Sequence, residues 1–403
     1  MERKELPEGW DIITLSDERY FQRFGGSTPS KSRKEYWDNG TIPWLSNTEL
    51  NENEINYVCN TREKITPIGL DNSSTSLLPK HCVLLTCTAS IGKVGINEIE
   101  LSTNQQFNSF KCSGEIEPKF LAFFLLTQKN NLIKLGGSTS FCHINTVNLG
   151  KLKIPLPPHP IQRQIVAVLE QAEALKRQRQ EADTLMGALL QSVFYEMFGD
   201  PVRNEKGWDV VQIRDITRES QYGCSVLGTS NGQYPIMGMN NITYEGQMEL
   251  TNLKFVDLSE KEFEKFRLEK GDILFNRSNA PNLVGKTGLF RTDENFVFAS
   301  YLIRLKLKFD LINPEYFWKF LNTPYMKSKF SGMCKKAVNQ ANINAQELQN
   351  VAIPLPPLAL QQQFARVVEE VERIRERQVE SGMEIEALSG GLVQRAFRGE
   401  LIA

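Results

Sequence analysis

The chain is written twice. Ile154–Pro158 (IPLPP) returns as Ile353–Pro357 (IPLPP) 199 residues later, and pairing 154–177 with 353–376 gives ten identities in 24 positions. The shared positions include Gln162/Gln361, Gln164/Gln363, Glu170/Glu369 and Glu173/Glu372. Upstream, Ile144-Asn145 answers Ile343-Asn344, Leu149 answers Leu348, and Gly9-Trp10-Asp11 answers Gly207-Trp208-Asp209. Solenoid units run roughly 20–50 residues, so a period near 200 means a duplicated domain. Each copy reads as a globular part followed by a helix: 1–152 with 153–200, then 201–351 with 352–403.

The helical parts follow Pro157-Pro158 and Pro356-Pro357, where proline opposes helix upstream. Apolar residues then fall at Ile161, Ile165, Val168, Ala172, Leu175, Ala182, Met186, Leu189 and Val193. The second copy repeats the stripe at Leu360, Phe364, Val367, Val371, Ile374, Ile385, Leu388 and Leu392. Steps of three and four are those of a coiled-coil seam, and such a helix would reach about 55–60 Å. It needs a partner to cover its stripe, and the other copy supplies one. The helix ends match at offset 203, Leu189–Phe194 against Leu392–Phe397, so the second helix carries a four-residue stutter. The alternative is that each helix packs flat on its own domain.

The globular parts have strand-and-loop composition. Short runs such as His81–Thr88 (HCVLLTCT), Asp272–Phe275 (DILF) and Tyr301–Leu307 (YLIRLKL) alternate with Gly, Asn, Ser and Pro clusters. Helices are expected around 118–130 and 314–330. Trp10, Trp44 and Trp208 read as core packing.

Catalytic signatures are missing. Gly285-Lys286-Thr287 lacks the first glycine of a phosphate loop, and no dinucleotide fingerprint, nucleophile elbow or H-E-x-x-H is present. Cys142 beside His143 is not a working pair, because neighbours on a strand face opposite ways. Seven scattered cysteines without C-x-x-C spacing and only three histidines leave little for a disulfide framework or a metal site. Met1–Trp10 is too polar for a signal peptide, and no run approaches the roughly 18–20 apolar residues of a membrane span, so the expected location is the cytoplasm.

Bulk charge gives no nucleic-acid signal, since 47 Lys+Arg stand against 48 Asp+Glu. Locally, residues 201–350 hold 20 basic and 17 acidic side chains, whereas 1–150 hold 15 and 17. Arg and Lys read guanine, Asn and Gln read adenine, and Ser, Thr and Lys hold phosphates. On that chemistry the candidate DNA contacts of the first copy are Lys31, Arg33, Lys34, Ser90, Lys93, Ser138, Thr139 and His143. Those of the second are Tyr244, Arg277, Asn279, Asn282, Lys286, Lys335, Lys336, Asn339 and Gln340. The copies share their framework while these loops differ, the pattern of two similar readers of two different targets.

Gly25–Leu45 (GGSTPSKSRKEYWDNGTIPWL), Ile273–Gly288 (ILFNRSNAPNLVGKTG) and the twice-used INxxxLxxxxIPLPPxxxQxQ resemble the specificity subunit of type I restriction–modification enzymes, over essentially the whole chain. The resemblance implies an α+β fold: two similar mixed α/β target-recognition domains joined by two long antiparallel helices in a coiled coil, with a pseudo-twofold internal repeat. It implies a non-catalytic subunit reading a bipartite double-stranded DNA site through the major groove. Two methyltransferase subunits and the restriction subunits would be its partners. S-adenosylmethionine, ATP and Mg would be bound by those partners and no cofactor by this chain. With DNA advancing about 34–36 Å per turn, the coiled coil would act as a ruler between half-sites. The competing expectation is a protein scaffold that assembles through its helices and never touches DNA.

Overall fold

The computed structural model describes residues 6–136, 143–280, 283–334 and 341–402. Its contacts divide the chain into Met1–Arg179 with Glu380–Ala403, the first unit, and Gln180–Val379, the second. Both division points fall inside the long helices, whereas the sequence pattern suggested boundaries at the helix ends.

The two units repeat one topology. In the first, a five-stranded sheet runs in the order 21–25, 107–112, 82–86, 94–97, 55–58. In the second, four strands run 217–222, 302–307, 273–276, 287–289. The fifth strand, Ile55–Val58, pairs parallel to Val94–Asn97 and has no counterpart among the described residues of the second unit. A three-stranded sheet accompanies each: 63–65, 42–45, 102–103 in one unit and 254–256, 234–237, 297–298 in the other. Central strands such as Cys82–Thr86 and Ile273–Asn276 are buried at every position, which is why they read as continuous apolar runs and not as alternation.

The repeated sequence motifs are the fastenings of this scaffold. The IPL run of each copy is a strand paired antiparallel with the strand that opens the copy, in one register: Asp11 opposite Leu156, and Asp209 opposite Leu355. Asn145 and Asn344 are N-caps, their side chains accepting from the backbone N–H of Asn148 and Glu347. Gln162 and Gln361 are fully buried. The Gln162 amide donates to the carbonyls of Glu115 and Pro157 and accepts from the Glu117 N–H. Gln361 does the same with Leu311, Pro356 and the Asn313 N–H. Both donors of this amide and one of its two acceptor sites are used, so a buried polar residue here locks the helix start to the loop before it.

The long helices are His159–Phe198 and Leu358–Phe397, each 40 residues, or about 60 Å. Neither is apolar enough to cross a membrane. Each begins in one unit and ends in the other, and each core is completed by the far end of the other copy's helix. In the first unit Ile165, Val166 and Leu169 share the core with Ala396, and the Phe397 ring lies 5.3 Å from Phe120 and 5.4 Å from Phe124. In the second, Phe364 and Val368 share it with Leu190, Phe194 and Phe198, and Phe194 stacks on Tyr316 at 5.8 Å. Within each unit the start of one helix therefore lies against the end of the other, so the two pass in opposite senses.

The apolar stripe read from the sequence needs correction. Ile165, Phe364 and Val371 are buried, and Ile161, Val168, Leu360 and Val367 are half-buried. Leu175, Leu189 and Leu388 are 52%, 54% and 66% exposed, and Ile374 is also exposed. The inward positions of the second helix step through Val371, Arg375, Gln378, Gly382, Ile385, Ser389, Leu392 and Ala396, and Gly382 faces Arg179 in the first unit. Small and polar residues occupy the middle of this inward face, so several leucines are turned to solvent. A hydropathy stripe cannot register a seam built from Gly and Ser. Trp44 is buried as expected, whereas Trp10 and Trp208 are half-buried.

Candidate nucleic-acid interface

Two loops that differ between the copies spring from one structural position. In the first unit the strand Cys82–Thr86 ends at a loop closed by Gly92 N–H to Thr86 O and Thr86 N–H to Lys93 O. In the second, Ile273–Asn276 ends at a loop closed by Gly285 N–H to Asn276 O and Asn276 N–H to Lys286 O. Both closing glycines sit at positive φ, 89° and 88°, and a Cβ at Gly285 would come within 2.7 Å of Phe330. Glycine-lysine is thus retained for turn geometry. The same bonds align Cys87 with Arg277: Ile144 N–H donates to Cys87 O, and Ile343 N–H to Arg277 O.

On that shared frame the side chains part company. Cys87 is buried, and burial pushes its thiol up to about 11. Next to it the Thr88 hydroxyl and His143 Nδ1 lie 2.7 Å apart, joining the loop to the segment before Ile144. At the position of Cys87 the second unit carries Arg277. Its guanidinium lies 4.8 Å over the Tyr222 ring and donates to Ser300 O at 3.3 Å. Strand 278–279 then pairs with 341–342, and the Asn279 side chain accepts from the Ala280 N–H. Arg277 is held by an aromatic face and a carbonyl, and among the described residues no carboxylate pairs with it, so its charge is not spent on an acid. Tyr222 carries no signal in the sequence, because its role depends on which strand lies beside the loop.

Two candidate cations turn inward. The Lys93 ammonium donates to the carbonyls of Asn47 and Leu50, at 3.2 and 2.7 Å. Lys286 does the same to Met239 and Ile242, at 2.9 and 2.6 Å. These carbonyls belong to equivalent 3-10 turns, Asn47–Glu49 and Met239–Asn241, and the residues after them. Lys286 is only 8% exposed, and burial lowers its pKa. Both lysines tie a turn to the central sheet, their ammonium groups donating to backbone carbonyls. That corrects the sequence expectation for them.

The remaining candidates are dispersed. Lys31 is paired with Glu63 at 2.5 Å and packs on Trp37, its ammonium 3.4 Å from the ring centroid. Arg33 donates to the Tyr36 hydroxyl at 3.1 Å and approaches Glu35, while Lys34 is exposed. Ser90 contributes its carbonyl to the Thr86 hydroxyl. Tyr244 is exposed and carries the Lys327 ammonium 3.6 Å above its ring. Ser138, Thr139, Asn282, Lys335, Lys336, Asn339 and Gln340 lie outside the described residues. Among the described residues no group of His, Cys, Asp and Glu is placed to hold a metal ion.

Comparison with known proteins places this architecture. A family model described as type I restriction modification DNA specificity domain matches residues 7–182 and again 205–384. The EcoKI specificity subunit of Escherichia coli K12 is 24% identical over all of this chain and 91% of its own length. The MjaIX specificity subunit of Methanocaldococcus jannaschii is 28% identical, over 53% of this chain and 53% of its own length, so the match spans about half of that relative. Among solved structures, the S subunit of a type I restriction–modification system from M. genitalium superposes with a TM-score of 0.58 at 13% identity, covering 98% of both chains. A chain from a study of complex assembly and conformational transition in the type I system gives 0.60 at 18%, covering 99% of this chain and 100% of its own. At such identities the superpositions speak to the fold.

Proposed function

The chain belongs to the type I restriction–modification DNA specificity family, and we propose that it is the component that reads a bipartite DNA sequence, one half-site per unit, while catalysis resides in its partners. The observation that carries the reading is the pairwise replacement on a preserved frame: Arg277 on Tyr222 in one unit where the other has buried Cys87 and the Thr88–His143 contact. A frame fastened identically twice, with its loops rewritten, suits two readers of unlike half-sites.

The exposed apolar residues of the helices support docking of partner subunits. Leu175, Met383 and Leu388 lie on the helical segments of the first unit, and Leu185, Leu189 and Val379 on those of the second. Large aliphatic side chains held in water on a rigid helix gain by being covered. In this reading the partners are two methyltransferase subunits and, for cleavage, restriction subunits. They would bind S-adenosylmethionine, ATP and Mg, and the assembly would work in the cytoplasm.

The test is methylation mapping in cells carrying this chain and its methyltransferase partner, which returns both half-sites and their separation. The purified pair should then prefer that duplex over a scrambled one by about 1–3 kcal/mol per base pair read. Equal affinity for both duplexes would leave only the protein-scaffold role.

A further inference from the structure

The second unit has a cleft of about 280 Å³ beside its rewritten loop, whose walls include Tyr244, Val284, Lys286, Lys327, Ser328 and Ser331. We propose that it seats a phosphate of the DNA backbone, with the Lys327 ammonium and the two serine hydroxyls as donors. The proposal rests on the DNA-reading role given above.

Lys327 lies on the helix Pro324–Met333, whose first turn is capped by the Thr323 hydroxyl. Its ammonium sits on the Tyr244 ring and donates to the Tyr244 carbonyl, and among the described residues no carboxylate comes within ion-pair distance of it. The corresponding junction of the first unit is built differently. There Lys129, on the equivalent helix, closes on Glu52 at 2.7 Å and on the Asn53 side chain at 3.0 Å. One copy has neutralised its helix cation with an acid, whereas the other rests its cation on an aromatic face.

The surroundings reinforce the difference. Burial and the nearby charges of Lys327 and Arg375 lower Lys319 to about 8, and burial brings Lys327 to about 8 as well, opposed by Glu245. Arg375 is paired with Glu372 at 3.0 Å. Among the described residues no carboxylate lines the cleft, and both of its serines are exposed. Val284, in the wall of the cleft, belongs to the same loop as Arg277 and Asn279. A phosphate contact next to a base-reading loop fixes the register of the protein on the duplex.

The experiment uses the full chain, a fluorescent duplex of random sequence and anisotropy titrations across a salt series. Lys327→Ala should weaken binding about threefold to tenfold and flatten the slope of log K against log salt by about 0.9, the signature of one lost phosphate contact. Lys327→Arg should restore both, and Ser328→Ala with Ser331→Ala should weaken binding less. Discrimination between duplex sequences should be unchanged. Should Lys327→Ala fold poorly, Lys327→Gln keeps the packing on Tyr244 and carries the same expectation. Unchanged affinity and slope would overturn the seat while leaving DNA reading intact, whereas a wild-type chain that binds no duplex would sink both. Saturable competition by inorganic phosphate beyond matched chloride, abolished by Lys327→Ala, would reassign the cleft to a free anion and overturn the backbone assignment.

Discussion

Lys93 and Lys286 occupy one place in the two copies, and each directs its charge to backbone carbonyls of a neighbouring turn. From sequence they looked like surface cations beside a glycine, because nothing local reveals that the turn before the next strand folds back over them. Gln162 and Gln361 are the opposite case: their repetition was visible, and the structure supplies the reason in an amide saturated by carbonyls. Asp272 is a third buried polar residue and makes a pH prediction. Burial raises its carboxyl to about 6, although the Glu269 N–H and the charges of Arg304 and Lys306 pull the other way. Unfolded, it titrates near 3.9. The folded state therefore holds the proton more tightly, and the resulting stability is complete below about pH 4 and lost as pH rises through 6. Asp272→Asn should flatten the decline in melting stability between pH 4 and 7 by about 2 kcal/mol, measured by urea unfolding at both values. An unaltered pH profile would show that the Arg304 pairing governs this group.

At the scale of elements, the two long helices were legible as helices, in number, start and approximate length, because proline punctuation and a period of three to four are local signals. What each helix end touches was not. The sequence reading set helix against helix, with packing on its own domain as the alternative. In the structure each helix end is a plug in a globular core, and that core belongs to the other copy's unit. Phe194 tests this. Encoded in the first copy, it is buried among Phe198, Tyr316 and Phe364 in the second unit. Phe194→Ala should cost about 3–5 kcal/mol. Segment-resolved hydrogen exchange should place the loss of protection in the second unit, in the strands 273–276 and 302–307. Loss confined to the strands of the first unit would contradict the swapped packing.

At the scale of the whole molecule, duplication makes the halves separable in their chemistry. The rewritten loop of each unit is closed by the same backbone bonds, so a change in one should leave the other's fold and target unaffected. Arg277→Ala removes a cation and its packing on Tyr222 from the second unit alone. It should relax selectivity at one half-site by about 1–3 kcal/mol at the affected base pair and leave the other half-site as it was. Selection among randomised duplexes by the assembled complex reads both at once, and equal loss at both halves would count against one reader per unit.

The sequence by itself determined the duplication and the two rods, because these are carried by repeated or periodic residues that act through local backbone preferences, and the resemblance of its motifs implied the α+β class and the family. Only the tertiary structure decided which cations are available and which leucines face water. It also decided that each core needs the other copy's helix end. These properties depend on contacts between residues 40 to 280 positions apart, such as Lys93 with Asn47 or Phe120 with Phe397, and no local pattern encodes such a partner.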